Sequence, residues 1–201
     1  IQSEKFQFVG QEDLSTFMKR RTSLSETIWG LYTAKISSYL YDNQLLLNKM
    51  SLPVGWRDIY KMEEENEDNY DKRYYAWFIT KEYNGKSKDI LSKIMDESND
   101  ASEYTGGAYF GFSMIRIPEM YYIMAEALLE EGDKERARDY LDIVVSARGM
   151  VKFADRDTGK DITLEDIMNE RRKELFGEGQ WWFCLKRLNR DIYVDALDAT
   201  L

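Results

Sequence analysis

The chain has 201 residues, 43% hydrophobic, 14% aromatic and 32% charged, which suits one soluble globular domain or part of a larger one. Its 28 Lys and Arg against 37 Asp and Glu leave a net charge of -9, which argues against a nucleic-acid partner or an anionic membrane surface, because phosphate contacts need a basic face. The absence of histidine removes Ser-His-Asp and Cys-His catalysis, histidine metal sites and histidine pH switches.

Only carboxylates, Lys, Tyr and the single Cys184 are left to do chemistry, and one cysteine makes neither an intrachain disulfide nor a zinc cluster. No apolar run is long enough to span a bilayer. The start at Ile1, without an initiator methionine or a signal-peptide pattern, reads as a mature or trimmed piece of something longer.

The first fifty residues alternate short apolar and aromatic clusters with polar gaps. Within them "SLSETIWGLYTAKISSYLYDN" reads as a strand or short helix running into a tyrosine-bearing loop. Pro53 and Gly55 mark a turn, and the acidic run Glu63 to Asp68 reads as a solvated loop or helix end rather than a cation site. The aromatic-rich segment Tyr70 to Tyr83 reads as a strand or buried edge. The Gly, Ser, Asn and Asp that follow, from Asn84 to Phe112, mark a long loop region around a short amphipathic piece.

From Arg116 the periodicity sharpens. Ile117, Tyr121, Met124, Ala125 and Leu128 recur at helical spacing, with Pro118 in the first turn and Gly132 at the end. Ala137, Tyr140, Leu141, Val144 and Val145 predict a second helix stopped near Gly149, so the pair forms a hairpin over a very short turn. The spacing matches one tetratricopeptide unit, and small Ala125 and Ala137 let the backbones approach. One such unit cannot bury its apolar face alone, so it must stack on other helices.

The segment "DRDTGKDIT" falls short of a calcium loop and reads as a turn, since its glycine is one position early for an EF-hand. Thr163 with Asp166 then predicts a capping pair opening a third helix, with Leu164, Ile167, Met168 and Leu175 as its apolar stripe. Arg171 falls on that stripe and needs a carboxylate partner. Glu170, Glu174 and Glu178, one turn apart, therefore predict an ion-pair network inside a helical bundle rather than the facing acids of a glycosidase cleft. Trp181, Leu185 and Leu188 share a face with Trp182 and Phe183 beside them, so the double tryptophan is expected to plug the bundle, and Cys184 to be a small core residue.

Taken together, "RIPEMYYIMAEALLEEGDKERARDYLDIVVSARG" and "ITLEDIMNERRKELFGEGQWWFCLKRL" resemble the carboxy-terminal part of the SusD-like (RagB/SusD) nutrient-binding lipoproteins. The shared wording is the Arg116-led helix with Ala125 to Ala127, the Gly132-Asp133 turn, Asn169 to Leu175, and Glu178 to Arg187; Asp71 with Arg73 resembles an upstream Asp-x-Arg element. Cys184 stands where the family has Asp.

The resemblance implies a mainly α fold with tetratricopeptide-type helix hairpins, long irregular loops and little β. It divides the chain into a loop-rich, ligand-facing segment over 1–112, a helical scaffold over 113–190 and a tail over 191–201. It implies non-catalytic, cell-surface binding of glycan or another nutrient, and delivery to a TonB-dependent SusC-like outer-membrane transporter. No cofactor or metal is implied. Membrane attachment would come only through a lipidated amino terminus that this chain does not contain.

A sugar ring presents apolar faces ringed by hydroxyls, so its site needs exposed Trp or Tyr to stack on and polar groups to meet the hydroxyls. Trp29, Tyr32, Tyr39, Tyr41, Asn43, Trp56 and Arg57 are the candidates, all in or near loop-like sequence. Two other readings remain open: a tetratricopeptide scaffold that binds a peptide in its groove, which predicts further repeats upstream, and a carboxylate-dependent glycosidase.

Overall fold

The computed structural model describes residues 5–15, 25–32, 52, 55–60, 71–93, 111–156 and 161–191. Tyr39, Tyr41 and Asn43, the acidic run 63–68, positions 94–110 of the expected loop, the centre of the expected turn at 157–160 and residues 192–201 lie outside them. The described part is mainly α with two small antiparallel sheets, as the resemblance implies.

The predicted hairpin is present. Helix α2 (Ile117–Glu130) begins with Pro118 in its first turn and runs into the turn at Gly132, after which the Asp133 side chain accepts from the Arg136 amide and caps α3 (Lys134–Ala147). Tyr122, Ala125, Leu128, Ala137, Leu141, Val144 and Val145 form the core between them. Ala125 and Ala137 are wholly buried, which is the close approach that their small size permits.

Helix α4 (Leu164–Glu174) opens with the predicted capping box: the Thr163 side chain accepts from the Asp166 amide while the Asp166 carboxylate accepts from the Thr163 amide. It lays Ile167 against the hairpin core, and Tyr122 reaches across to donate to the Glu170 carbonyl at 3.2 Å. Helix α5 (Gln180–Arg187) follows and buries Cys184 and Leu185, with Cys184 Sγ 3.4 Å from Met168 Sδ.

Two expectations about this region need correction. The double tryptophan does not plug the bundle: Trp181 is half-buried, but Trp182 and Phe183 are 50% and 65% exposed. Helical geometry turns those two positions away once Cys184 and Leu185 face inward. Arg171 finds its carboxylate on another helix, pairing with Glu119 of α2 rather than with the acids of its own segment.

The amino-terminal half differs more. Tyr70 to Tyr83 is not one strand: Asp71 caps a short helix α1 (Lys72–Trp77) by accepting from the Arg73 amide, and only then does strand β2 (Phe78–Tyr83) begin. The expected loop after Asn84 opens with strand β3 (Lys86–Leu91), paired antiparallel with β2 from Phe78↔Leu91 to Tyr83↔Lys86. Asn84 and Gly85 both have positive φ, 52° and 73°, which is the tight Asn-Gly hairpin turn whose twist matches the strands. Strand β1 (Thr27–Tyr32) pairs antiparallel with β4 (Gly111–Arg116), which leads directly into α2. Beneath α1 and β2, Leu14, Tyr60, Ala76, Trp77, Phe78 and Leu91 form a second apolar cluster.

Candidate functional site

The acids of the charged stretch that invited a catalytic reading are buried among the described elements. Glu170, Glu174 and Glu178 point into one buried space, where four chain segments deliver Arg73, Lys93, Arg116 and Arg148, and the turn before β1 delivers Glu26. Arg116 donates to Glu174 Oε1 (2.7 Å), to both oxygens of Glu178 (2.6 and 3.1 Å) and to the Glu174 carbonyl (3.0 Å). Arg148 bridges Glu174 and Glu26 with donor distances of 2.8 to 3.0 Å. Arg73 is held in a fork by Asp71 and also donates to Glu170 at 2.6 Å. Every one of these side chains is buried.

Burial alone would push the carboxyl groups toward neutrality, yet the guanidiniums outweigh it. Burial raises the Glu170 pKa, but Arg73 and Lys173 bring it down to about 2. Glu174 is lowered further, against its own burial, by Arg148 and Arg116, and Glu178 is lowered by Arg116 and Lys93. Lys93 is the exception among the cations: burial beneath Trp77, whose ring centroid is 3.8 Å from Nζ, lowers it to about 8 despite Glu178.

Such acids are poor general acids, since they hold no proton near neutrality, and they have no exposed face toward a substrate. The arrangement holds segments together. Buried charges that satisfy one another are costly to separate, because a lone survivor is left desolvated. Among the described residues no group of His, Cys, Asp and Glu is placed to hold a metal ion.

The aromatic candidates lie elsewhere. Trp29 is 51% exposed on β1, opposite Ile115 of β4, with Ile28 and Leu31 also exposed. The pairing is irregular on both sides of Trp29, and the four consecutive residues 28–31 are all exposed, so both faces of the strand are open there. Tyr32 ends that strand opposite Gly111. Trp56 is half-buried in a 3-10 turn, its ring parallel to Tyr74 (5.8 Å, 12°) and 4.0 Å from Phe78. Arg57 lies 5.5 Å over the Trp56 ring and pairs with Asp89 of β3, which also accepts from Thr80 at 2.7 Å. The structure thus joins Trp56 and Arg57 on the β2–β3 side and sets Trp29 on the other sheet.

Sequence reasoning found the acidic half of the charge centre but not Glu26, Lys93 or Arg148. A signal existed for Arg73 and Arg116, in the Asp-x-Arg element and the arginine that leads α2. Lys93, in the short amphipathic piece, and Glu26, ahead of the first strand, have nothing local to single them out.

A profile of the SusD family matches residues 90–196, more than half of the chain. Among solved structures, the fold is shared with a SusD-like protein from Bacteroides fragilis NCTC 9343, at 18% identity and a TM-score of 0.66, over 94% of this chain and 48% of that one. It is shared with a putative sugar binding protein from Bacteroides vulgatus ATCC 8482, at 21% identity and a TM-score of 0.64, over 92% and 40%. A SusD-like carbohydrate binding protein from the same organism matches at 20% identity and a TM-score of 0.62, over 93% and 39%. The chain therefore spans less than half the length of each of these structures. Comparison with curated proteins finds no match.

Proposed function

Because the chain belongs to the SusD family, we propose that it serves non-catalytic capture of glycan, or of another nutrient, at the outer surface of an outer membrane. In this reading the protein is anchored there by a lipidated amino terminus and hands its cargo to a TonB-dependent SusC-like transporter. The observation that carries the binding half is the contrast between sealed acids and open aromatics. Glu170, Glu174 and Glu178 are buried under arginines, whereas Trp29 offers half its surface to solvent beside other apolar side chains. Stacking on such a ring suits the apolar face of a pyranose.

Trp29 and the Trp56–Arg57 pair are the ligand contacts of this reading, with Tyr32, Tyr39, Tyr41 and Asn43 beside them in the chain. The glycosidase alternative rested on the three glutamates and loses its footing with their burial.

The test is binding of the full chain to a panel of soluble polysaccharides by affinity electrophoresis and calorimetry, with product analysis on the same samples. Retention by a glycan without product is expected. Released oligosaccharide would replace the reading with catalysis. Co-purification with an outer-membrane transporter, when the native protein is extracted from the membrane, tests the delivery step.

A further inference from the structure

The 3-10 turn Gln11–Asp13 and helix α1 flank an open groove of about 420 Å³, lined by Gln11, Glu12, Ser15, Lys72, Tyr75 and Ala76, in which the Tyr75 ring meets Tyr74 edge-on and Tyr74 in turn stacks on Trp56. Its volume falls within the few-hundred to thousand Å³ usual for small-ligand sites.

The walls are held by specific contacts. Gln11 donates through its side-chain amide to the Ser146 carbonyl at 3.0 Å, at the end of α3. The Lys72 amide donates to the Arg148 carbonyl at 3.1 Å, and the Lys72 stem lies over Gly149, where an added Cβ would come within 2.8 Å of it. Gly149 has φ +80°, so it serves both to end α3 and to leave that space for the lysine. The Glu12 carboxylate in turn lies over Gly10, occupying the position where a side chain would begin. Leu14 is anchored in the apolar cluster beneath α1, and the Val9 amide donates to Glu26, a member of the buried charge centre. The groove's walls are thereby bonded to α3 and to the buried charge centre, and a site built on held walls loses little freedom when it binds.

The lining combines an ammonium and a hydroxyl that donate, a carboxylate and an amide oxygen that accept, and a tyrosine ring that is 57% exposed. Donors and acceptors beside an aromatic face match the hydroxyls and apolar face of a sugar ring. Glu12 in the wall, and the net charge of -9, disfavour carboxylated or sulfated sugars.

We propose that this groove is a second glycan-binding site, taking a neutral pyranose unit stacked on Tyr75, with Lys72 and Glu12 meeting its hydroxyls. The proposal rests on the reading of the protein as a glycan binder, and adds a contact that reading does not supply.

The test uses the full chain with cellohexaose, xylohexaose, mannohexaose, maltohexaose and, as an acidic counterpart, trigalacturonic acid. Calorimetry and saturation-transfer NMR at millimolar sugar read the binding. The variants are Tyr75→Ala, Tyr75→Phe and Lys72→Met, each checked for an unchanged thermal midpoint; Lys72→Met keeps the stem over Gly149. For a neutral member, Tyr75→Ala is expected to weaken binding at the groove about tenfold, Tyr75→Phe to stay near wild type because the ring remains, and Lys72→Met to lose several-fold. A Trp29→Ala variant is expected to keep the Tyr75-dependent component. If the wild type binds a neutral sugar and Tyr75→Ala and Lys72→Met bind it equally well, the groove proposal falls and the proposed function stands. If only trigalacturonic acid binds through the groove, the neutral class is wrong. If the wild type binds none of the panel, both readings fall for these glycans.

Discussion

Glu165 and Glu174 lie on the same helix, α4, and each pairs with arginine. Glu165 is 55% exposed at the side chain and meets Arg190, itself 42% exposed, at the surface. Glu174 is wholly buried and is shared among Arg73, Arg116 and Arg148, drawn from three separate segments. Water and salt screen the first pair, so it contributes about 0–1 kcal/mol. The second cannot be broken without stranding a charge in the interior. The same functional groups thus act as solubilising surface in one place and as the joint of the fold in the other, and depth decides which.

The largest expected effect comes from breaking the joint. Arg116→Met removes one donor side chain from Glu174 and Glu178 at once, leaving Arg148 on the first and Lys93 on the second, and should destabilise the chain by roughly 3–5 kcal/mol, as loss of one partner in a buried pair does. Urea unfolding reads it; a loss below about 1 kcal/mol would mean that this centre behaves like the surface pairs.

Acid offers a milder route to the same contrast. Glu170, Glu174 and Glu178 have folded pKa values below the ordinary 4.5, despite burial, because of the arginines and lysines around them. A group depressed in the folded state contributes stability that is complete above its unfolded pKa and is lost as pH falls through the folded one. The urea midpoint should therefore fall steadily below pH 4.5 toward about 2, the value for Glu170. A flat profile in the unmodified chain would contradict the ionised centre.

Lys93 divides the centre itself. Burial depresses it to about 8 from 10.5, so between those values the unfolded chain binds more protons and stability should rise with pH. Glu178 keeps two bonds from Arg116 when Lys93 is neutral or absent. Lys93→Met should accordingly cost about 1.5–3 kcal/mol, the scale of a hydrogen bond to a charged group, and should abolish the alkaline rise. Persistence of that rise in the variant would assign it to another group.

The same distinction explains what could be read from the chain. The hairpin α2–α3 was legible because its core positions recur every three or four residues, and the capping pair Thr163–Asp166 because caps are local. Glu170, Glu174 and Glu178 were legible as a set for the same reason. Their partners were not, since Arg116 is 58 residues from Glu174 and Arg73 is 101. The hairpin β2–β3 carried a local signal in Asn84-Gly85, but the polar residues around it read more readily as loop. Of the surface candidates, Trp29, Trp56 and Arg57 could be named as aromatic and polar residues near turns. Tyr75 could not, because its segment read as a buried strand, and only the helix start at Asp71 turns that ring outward.

The smallest effects are expected at the rim. Arg57 and Asp89 form an ion pair whose side chains are 55% and 24% exposed, and Arg57 also covers part of the Trp56 ring. Arg57→Met keeps an apolar stem over that ring and removes only the charge. The expected loss of stability is below about 1 kcal/mol in low salt and shrinks further at molar salt, where screening removes most of what an exposed pair contributes. The arginine would then be dispensable for folding, and any effect of Arg57→Met on glycan affinity would belong to ligand contact. Destabilisation on the scale of Arg116→Met would instead make this pair a second joint, and would explain an affinity change through the fold.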